Sequence, residues 1–407
     1  MNIPACIVGN SSVLLWGIDG ATRLERQLRA AGLDLVTRDE PAEGYDSVLL
    51  VRGDVLFDER VLRRLLQEPG ILLVTAGNPS PDCVAAHVES ALAARALAVL
   101  ERKEAVGAAV TALPGVVIET PASLCPGHGG PLLKASPVVV LPIRPGQATA
   151  LEDLLFDGSY KGVTDLVTKW VWPRPARAVT RLCAEHAVSP NAVTAASYAL
   201  VVAVLVLFAQ GHFAMGLVLA WIMTFLDTVD GKLARVTVTS TPAGHYLDHI
   251  LDLVHPPFWY LAWGYGVEAH VVEVCTLQFV FAAIFAGYIA GRLAEGAFDA
   301  LLAGFSMFSW RPVDSYFRLI LARRNPNLLI LTGFALAGRH REGLVAVAAW
   351  TVISAVVLVM RLAQAAWERG RGRPIPSWLE ELGDDLAGIP SYARPFAADP
   401  AAARRLT

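Results

Sequence analysis

The second half of this chain is far more apolar than the first. From about residue 190 onward long apolar stretches follow one another, whereas residues 1–155 have the mixed polarity of a soluble α/β domain. A helix needs about 20 consecutive apolar residues to cross the core of a bilayer. We therefore predict an α-helical, multi-pass membrane domain preceded by a cytosolic α/β domain. Six transmembrane helices are expected, near residues 191–210, 213–230, 246–265, 271–291, 326–338 and 344–361.

The distribution of Lys and Arg predicts the orientation of these spans, because basic loops tend to stay on the cytosolic side. Basic residues precede the first span and follow the second and the fourth, whereas the loop after the third span, residues 266–270, has neither Lys nor Arg. Both termini are therefore expected in the cytosol, and the protein in the cell (inner) membrane. Arg339 and Arg341 depart from this pattern, so the last hairpin could be re-entrant.

The segment before the first span has the composition of a membrane-surface element. Residues 156–190 combine Trp170 and Trp172 with several basic residues, which is typical of an interfacial amphipathic segment, although a simple linker stays an alternative. Pro173 and Pro175 are expected to divide it into two short helices. The predicted organisation is a head domain at 1–155, this segment at 156–190, the membrane domain at 191–365 and a cytosolic tail at 366–407.

The charge balance and the cysteines exclude several classes of protein. The chain has 34 Lys and Arg residues against 37 Asp and Glu, so no basic footprint for nucleic acid is expected. The five cysteines are scattered and contain no CxxC pair, which indicates neither a disulfide framework nor a zinc site. Residues 1–9 lack the basic and apolar regions of a secretory signal.

Four aspartates stand in a fixed frame within the membrane half. The frame reads Asp227-x-x-Asp230-Gly231-x-x-Ala234-Arg235 and, after eight residues, Gly244-x-x-x-Asp248-x-x-x-Asp252. Spacings of three and four place each pair of aspartates on one helical face, so two neighbouring helices can direct all the carboxylates at one point. Charged groups at membrane depth are costly unless they are paired, hydrated or bound to metal. The frame therefore predicts a metal site or an acid–base site.

The residue types in the frame favour a divalent cation together with a phosphorylated ligand. Carboxylate oxygens suit Mg²⁺, Mn²⁺ or Ca²⁺, and a cluster of this size can hold two ions, whose natural partners are diphosphates. Gly231, Ala234 and Gly244 are small and leave room for a ligand between the helices. Arg235 offers a planar donor fork for phosphate. The alternative is that the aspartates only brace the two helices through ion pairs.

The frame resembles that of the CDP-alcohol phosphotransferases, also called CDP-alcohol phosphatidyltransferases. These integral membrane enzymes transfer a phosphoryl-alcohol group from a CDP-alcohol to an acceptor hydroxyl and release CMP. The resemblance covers residues 160–365 and includes residues 189–194, Ser-Pro-Asn-Ala-Val-Thr, which look like the segment that leads into the family's first span. It implies Mg²⁺ or Mn²⁺ as the cofactor, with two ions bound, and a homodimer in the membrane.

The resemblance also implies a role for each residue of the frame. The expected metal ligands are Asp227, Asp230, Asp248 and Asp252. The expected CDP-binding residues are Gly231, Ala234, Arg235 and Gly244. Asp252 is also the expected general base for the acceptor hydroxyl. Three histidines adjoin the aspartates and are expected to cap or pack rather than to bind metal: His245, His249 and His255.

Basic residues on the predicted cytosolic side are candidates for the phosphate of an acceptor. Those considered are Lys161, Arg292, Arg311 and Arg323, with Arg324 next to the last of them. Arginine can bind phosphate through two parallel hydrogen bonds. The alternative is the ordinary excess of positive charge on the cytosolic side.

The head domain alternates short apolar runs with helical stretches, which predicts a largely parallel α/β sheet. Strands are expected near residues 13–18, 47–51, 71–75 and 138–141, and helices near 21–31 and 59–67. Residues 13–17 with 24–32, and residues 50–57, resemble the sugar-phosphate nucleotidyltransferase fold. The whole chain is then similar to two-part enzymes whose head makes CDP-inositol and whose membrane part condenses it with inositol phosphate.

The head departs from that family at its nucleotide site. The family has a long glycine-rich loop with an Arg and a Lys, whereas here residues 7–12 run almost directly into the next apolar run. We therefore expect a degenerate head without cytidylyltransferase activity. Asp54 is either the remaining metal carboxylate of that fold or a helix-capping residue.

The prediction for the whole chain is a membrane CDP-alcohol phosphotransferase of phospholipid or inositol phosphate metabolism. Its partners are a CDP-alcohol donor, an alcohol or phosphorylated-alcohol acceptor and the lipid bilayer. One alternative is a bifunctional enzyme that also has cytidylyltransferase activity. A second is a metal-binding transporter or scaffold that uses the same carboxylates.

Overall fold

The computed structural model describes residues 3–75, 81–103, 106–125, 138–160, 162–240, 242–268, 274–381 and 390–396. Within helices, the side chains of residues 242–251, 268, 274–276 and 380–381 are also outside this description. The chain forms two compact units. The head unit consists of residues up to Tyr160 with the short segment Val236–Thr239, and the membrane unit consists of the remainder from residue 162 to residue 396.

The head unit contains eight strands among the described residues. They are β1 (Ala5–Val8), β2 (Val36–Arg38), β3 (Ser47–Arg52), β4 (Val55–Phe57), β5 (Ile71–Thr75), β6 (Asp82–Glu89), β7 (Val117–Glu119) and β8 (Val140–Pro142). The helices of this unit are α1 (Gly20–Ala30), α2 (Glu59–Leu65), α3 (Ala93–Glu101), α4 (Val106–Ala112), α5 (Pro121–Leu124) and α6 (Ala148–Gly158).

The main sheet of the head is mixed rather than largely parallel. Its strand order is β2-β1-β3-β6-β5-β7, and β4 pairs separately with β8. β1 is parallel to β2 and β3, and β5 is parallel to β7, but β6 is antiparallel to both of its neighbours. Residues 76–81, which join β5 to β6, are too few for the crossover that a parallel pair requires. One face of β1, β3 and β5 packs against α1 and α2, and the other face packs against α3 and α4.

The predicted strand at residues 13–18 is wrong, whereas the predicted strands at 47–51 and 71–75 and both predicted helices are confirmed. Residues 13–18 form a tight turn instead. Trp16 and Gly17 have φ angles of 54° and 75°, and an isolated bridge joins Leu15 to Ile18. The turn buries Trp16, whose indole stacks on Phe156 at a centroid distance of 5.6 Å. The apolar run therefore serves side-chain packing rather than a sheet.

The described part of the membrane unit contains helices and the turns that join them, and no strand. Its helices are α7 (Pro173–Glu185), α8 (Pro190–Ala209), α9 (Phe213–Val236), α10 (Pro242–Glu268), α11 (Val274–Ala297), α12 (Pro312–Ile320), α13 (Arg324–Leu336), α14 (His340–Gly370) and α15 (Trp378–Glu381). A π-helical turn, Val167–Val171, precedes α7, which begins at Pro173 as the predicted break requires.

Four helices in the described part of the chain are long and apolar enough to cross a membrane. They are Pro190–Ala209, Phe213–Val236, Leu277–Ala303 and His340–Gly370. The six predicted spans are therefore not confirmed. α13 has 13 residues and extends about 20 Å, which is short of a bilayer core of about 30 Å. α10 is long enough at 27 residues, but it carries Asp248, Asp252 and two internal prolines.

Aromatic side chains hold the middle of the membrane unit together. The ring of Phe208 packs edge-on against Trp263 at 4.9 Å, and Trp259 donates from Nε1 to the carbonyl of Val201 at 3.2 Å. Gly266 lets α10 approach α8 closely, because a Cβ atom there would lie 2.0 Å from the carbonyl oxygen of Phe208. These contacts fix the spacing between α8 and α10.

Candidate active site

α9 carries Asp227 and Asp230 on successive turns. No proline interrupts the helix, so the three-residue spacing places both carboxylates on one side. Asp230 is only 4 % exposed and accepts a hydrogen bond of 2.6 Å from Oγ1 of Thr194 on α8. Ser189 caps α8 and Pro190 occupies its first turn, which sets the position of Thr194. The segment 189–194 therefore contacts the first aspartate pair directly, through the hydrogen bond from Thr194 to Asp230.

α10 carries Gly244, Asp248 and Asp252 within one continuous helix. Gly244 and the side chain of Asp248 fall among residues 242–251, outside the described side chains, so their proposed roles stay predictions. The side chain of Asp252 is described and is 37 % exposed. One of the two carboxylates expected from this helix can therefore be placed.

The side chain of Arg324 connects Asp227 of α9 with Asp252 of α10. Its Nη1 donates to Oδ1 of Asp252 at 2.7 Å and lies 3.4 Å from Oδ1 of Asp227. Its Nη2 donates to the other oxygen of Asp227. The side chains of Arg324 and Asp227 are each 15 % exposed. The structure thus brings one aspartate from each predicted pair to a single, largely buried cation.

The start of α13 is held in place by buried amide side chains. Asn325 donates from Nδ2 to Oδ1 of Asp165 and to Oγ1 of Thr168, both at 3.1 Å. Asn327 donates to the hydroxyl of Tyr260 on α10 at 3.0 Å. Both asparagines are at most 5 % exposed. These bonds fix the backbone from which the side chain of Arg324 extends.

The residues at this point suit a divalent cation. Asp227 and Asp252 already surround a positive group, and carboxylate oxygens are the ligands that Mg²⁺ and Mn²⁺ prefer. Among the side chains that the structure describes, however, no three His, Cys, Asp or Glu residues form a group that could hold a metal ion. The carboxylate of Asp248 lies outside that set. The residue chemistry fits a cation, and the full ligand set stays a prediction.

The proposed CDP-binding residues continue along α9 beyond the aspartates. Arg235 is exposed, and its guanidinium lies back along the helix towards Gly231. A Cβ atom at Gly231 would be 3.9 Å from both terminal nitrogens of Arg235, an ordinary contact distance, so the two residues are neighbours on the helix surface. Ala234 is half-buried on the same helix. The small residues and the arginine thus share one stretch of helix surface, as the motif predicts.

A second charged cluster lies where α11 approaches the loop before α13. Arg323 forms an ion pair with Glu295, and Arg292 lies 3.8 Å from the same carboxylate. Arg292 also donates to the hydroxyl of Tyr288 at 3.2 Å. All four side chains line one small cavity between α11 and α14. Arg292 and Arg323, both considered as contacts for an acceptor phosphate, are therefore brought together.

Arg311 does not belong to that cavity, and Arg318 lies closer to the cluster. Arg311 is the residue before α12, and its guanidinium lies over the ring of Trp310 at 4.5 Å. Arg318, on α12, is buried, and burial holds the pKa of its guanidinium below its usual value. Its Nη1 has no hydrogen-bond partner among the described residues. Lys161 lies outside the described residues.

In the head, the carboxylate of Asp54 is already occupied by two cations. Arg52 donates to both of its oxygens, at 2.9 and 2.8 Å, and Lys103 donates to it at 2.8 Å. Burial opposes ionisation of Asp54, but these hydrogen bonds outweigh it and hold the pKa of the carboxyl below its usual value. Asp54 does not cap α2, the helix that follows it, because the N-cap of α2 is Asp58.

The backbone around Asp54 leaves little room for a nucleotide. A Cβ atom at Gly53 would lie 2.2 Å from the carbonyl oxygen of Gly9, and one at Gly20 would lie 2.1 Å from that of Gly53. The end of β3, the segment after β1 and the start of α1 are therefore in direct backbone contact.

Comparison with known families identifies the part of the chain that contains the aspartate frame. Residues 187–314 match the family described as CDP-alcohol phosphatidyltransferase. This stretch is a CDP-alcohol phosphatidyltransferase domain. No match to the chain was found among curated proteins. The domain supports a CDP-alcohol phosphotransferase activity in general, in a membrane-embedded region, and the resemblance of the head to nucleotidyltransferases stays a prediction.

The CDP-alcohol phosphatidyltransferase domain includes Thr194 and both aspartate pairs, but it ends before Arg318 and Arg324. The sequence alone assigned no role to Thr194 or Arg318, and it considered Arg324 only as a contact for an acceptor phosphate rather than as the partner of Asp227 and Asp252. One signal was present for Arg324: buried carboxylates need cations, and few basic residues lie near the frame in sequence. Thr194 and Arg318 have no comparable signal, because their roles depend on contacts between helices.

Proposed function

We propose that this protein is a membrane transferase that moves a phosphoryl-alcohol group from a CDP-alcohol to an acceptor hydroxyl and releases CMP. It serves phospholipid or inositol phosphate metabolism in the cell (inner) membrane, with its termini and active site on the cytosolic side and as a homodimer. One observation carries the proposal. Within the CDP-alcohol phosphatidyltransferase domain, α9 and α10 bring Asp227 and Asp252 to one positive group, the guanidinium of Arg324.

The aspartates of the frame would hold Mg²⁺ or Mn²⁺, two ions in all. Asp227, Asp230, Asp248 and Asp252 supply the oxygens, and the bound ions would neutralise the diphosphate of the donor. The hydrogen bond from Thr194 orients the carboxylate of Asp230, which narrows the directions from which a ligand can approach it. Arg235 offers its donors to the diphosphate beside Gly231.

Asp252 is suited to act as the general base. Its side chain is 37 % exposed, whereas that of Asp227 is 15 % exposed, so Asp252 is the more open to an incoming acceptor. It takes the proton of the acceptor hydroxyl as the oxygen attacks the distal phosphorus of the donor. The bond between that phosphorus and the bridging oxygen breaks, and CMP leaves with the bridging oxygen. No covalent enzyme intermediate is needed.

The arginine cluster beside the site supports a phosphorylated acceptor. Arg292, Arg318 and Arg323 all interact with the carboxylate of Glu295, and Arg318 also interacts with that of Asp165, so three cations face two carboxylates. The cluster is partly buried, so its excess positive charge is costly without an anion. The phosphate of an acceptor such as inositol phosphate or glycerol phosphate would supply it.

The test of the proposal is CMP release by the full-length protein in lipid nanodiscs with Mg²⁺ or Mn²⁺. CDP-diacylglycerol and CDP-inositol are offered as donors, with glycerol phosphate, inositol phosphate and serine as acceptors. We expect acceptor-dependent CMP release, which Asp252→Asn lowers by about a hundredfold or more. Asp299→Asn is the matched control, because Asp299 is an exposed aspartate of the same unit away from the frame.

Other outcomes separate the alternatives. Metal-dependent transport without CMP release under any donor would favour a transporter or scaffold. Formation of a CDP-product from CTP and a sugar or inositol phosphate would favour the bifunctional enzyme and contradict a degenerate head. We expect no such product, because Arg52 and Lys103 occupy Asp54 and the backbone is closed around Gly53.

A further inference from the structure

The contacts of Arg324 raise a question that the proposed reaction leaves open. Its guanidinium lies between Asp227 and Asp252, where the proposed function requires a divalent cation. It binds three carboxylate oxygens, two of Asp227 and one of Asp252. A divalent ion bound to these oxygens would lie close to the guanidinium, and the repulsion between the two cations would favour displacement of the arginine.

Hydrogen bonds of the neighbouring residue fix the backbone position of Arg324. Arg324 begins α13, and its neighbour Asn325 is fixed to Asp165 and Thr168 by hydrogen bonds of 3.1 Å. The backbone is thus anchored, while the long side chain is the part that can move. Without a cation, the largely buried carboxylate of Asp227 and the more exposed one of Asp252 would be left uncompensated, which is destabilising.

We propose that Arg324 is an exchangeable counter-ion, which pairs with Asp227 and Asp252 in the metal-free protein and is displaced when the metal binds. The inference rests on the proposed function for the identity of the cation. Once displaced, the guanidinium lies beside the donor site with all five N–H donors available. It then binds the diphosphate of the CDP-alcohol, for which its planar fork is suited. Metal and donor binding are coupled through this one side chain.

The test measures Mn²⁺ affinity of the full-length protein without substrate, by the loss of the free-ion signal in electron paramagnetic resonance. Arg324→Gln removes the competing cation and is expected to tighten Mn²⁺ binding by about tenfold or more, since hydrogen bonds to charged groups no longer have to be broken. Arg324→Lys keeps a cation but offers fewer donors. Its affinity should lie between those of the other two proteins.

Arg323→Gln is the matched control. It removes one positive charge from the adjacent residue, whose partner is Glu295, and leaves the contacts of Arg324 in place. A small gain in Mn²⁺ affinity is expected there from the lowered field alone. Equal gains in Arg323→Gln and Arg324→Gln would show a general electrostatic effect and overturn the proposal.

Thermal unfolding gives a second measurement that does not depend on activity. Metal-free Arg324→Gln should unfold at a lower temperature than the wild-type protein, because Asp227 and Asp252 lose their partner. Saturating Mn²⁺ should raise the unfolding temperature more in the variant than in the wild type. An equal shift in both proteins would contradict the exchange.

The outcomes for this inference and for the proposed function can be told apart. If Mn²⁺ binding tightens in Arg324→Gln but no donor yields CMP, the exchange stands and the proposed reaction fails. If CMP is released and Mn²⁺ affinity is the same in both proteins, the reaction stands and the exchange is refuted. The donor arm adds a third measure. With CDP-diacylglycerol present, Arg324→Gln should bind that donor more weakly than wild type.

Discussion

Replacing Thr194 by valine tests whether α8 positions a metal ligand. The change removes a hydroxyl and keeps nearly the same shape. Oγ1 of Thr194 donates to Oδ2 of Asp230 at 2.6 Å, and Asp230 is 4 % exposed. A hydrogen bond to a buried charged group contributes about 1.5–3 kcal/mol. At about 1.4 kcal/mol for each tenfold change, its loss should cost about ten- to a hundredfold in metal affinity.

The assay is CMP release by the full-length protein as a function of Mg²⁺ concentration. For Thr194→Val we expect the half-saturating Mg²⁺ concentration to rise by about that factor, with most of the activity recovered at saturating Mg²⁺. Asp230→Asn removes the ligand itself and should not be rescued in this way. Melting curves establish that both variants fold.

Thr228→Val is the control for the loss of a helix-surface hydroxyl. Thr228 lies on the same helix as Asp230, and its Oγ1 donates to the carbonyl of Thr224 at 3.2 Å. We expect its Mg²⁺ dependence to change much less. If Thr194→Val and wild type have the same Mg²⁺ dependence while Asp230→Asn is inactive, then Thr194 has no part in orienting the ligand, and the reasoning is refuted.

Two further predictions concern other parts of the chain. Burial lowers the pKa of Lys169 to about 8, so amine-specific labelling of this lysine, measured by mass spectrometry, should increase with pH with a midpoint at about 8. Phe396→Ala exposes the ammonium group and should move that midpoint towards 10.5. A midpoint near 10.5 in the wild-type protein would contradict the burial of Lys169. Gly266→Ala should lower the unfolding temperature, because the new Cβ atom would collide with the carbonyl oxygen of Phe208. Gly333→Ala is the control, since nothing lies within 4 Å of its new atom, and it should leave the unfolding temperature unchanged or raise it. Similar effects of the two substitutions would rule out the close approach of α8 and α10.

The aspartate frame shows what a sequence pattern can determine. The three-residue spacing of Asp227 and Asp230 and the position of Asp252 on the next helix were sufficient to predict that two helices carry the acids, because helical geometry converts spacing into position. The pattern could not predict that Arg324 would meet them. That residue is more than seventy positions from Asp252, and its approach depends on how α13 packs.

The number of spans and the strand at residues 13–18 were harder to predict for a different reason. Hydropathy registers apolar composition but not the partner that buries it. The run around Trp16 is buried in a turn against Phe156, and α13 is apolar yet only 13 residues long. β6 is antiparallel to β5 because the connection between them is short. The length of that connection can be read from the sequence only once the ends of the two strands are known.

Two adjacent arginines relate the acidic and the basic clusters of the membrane unit. Arg324 pairs with Asp227 and Asp252, while Arg323 pairs with Glu295. Neighbouring residues at the start of one helix thus reach the two clusters, so the two lie side by side. The acidic cluster has an excess of carboxylates and suits divalent cations with a bound diphosphate. The basic cluster has an excess of arginines and suits an anion. If a phosphorylated acceptor binds at these arginines, as the proposed function has it, that acceptor lies beside the aspartates, and direct transfer between two bound substrates requires them to be neighbours.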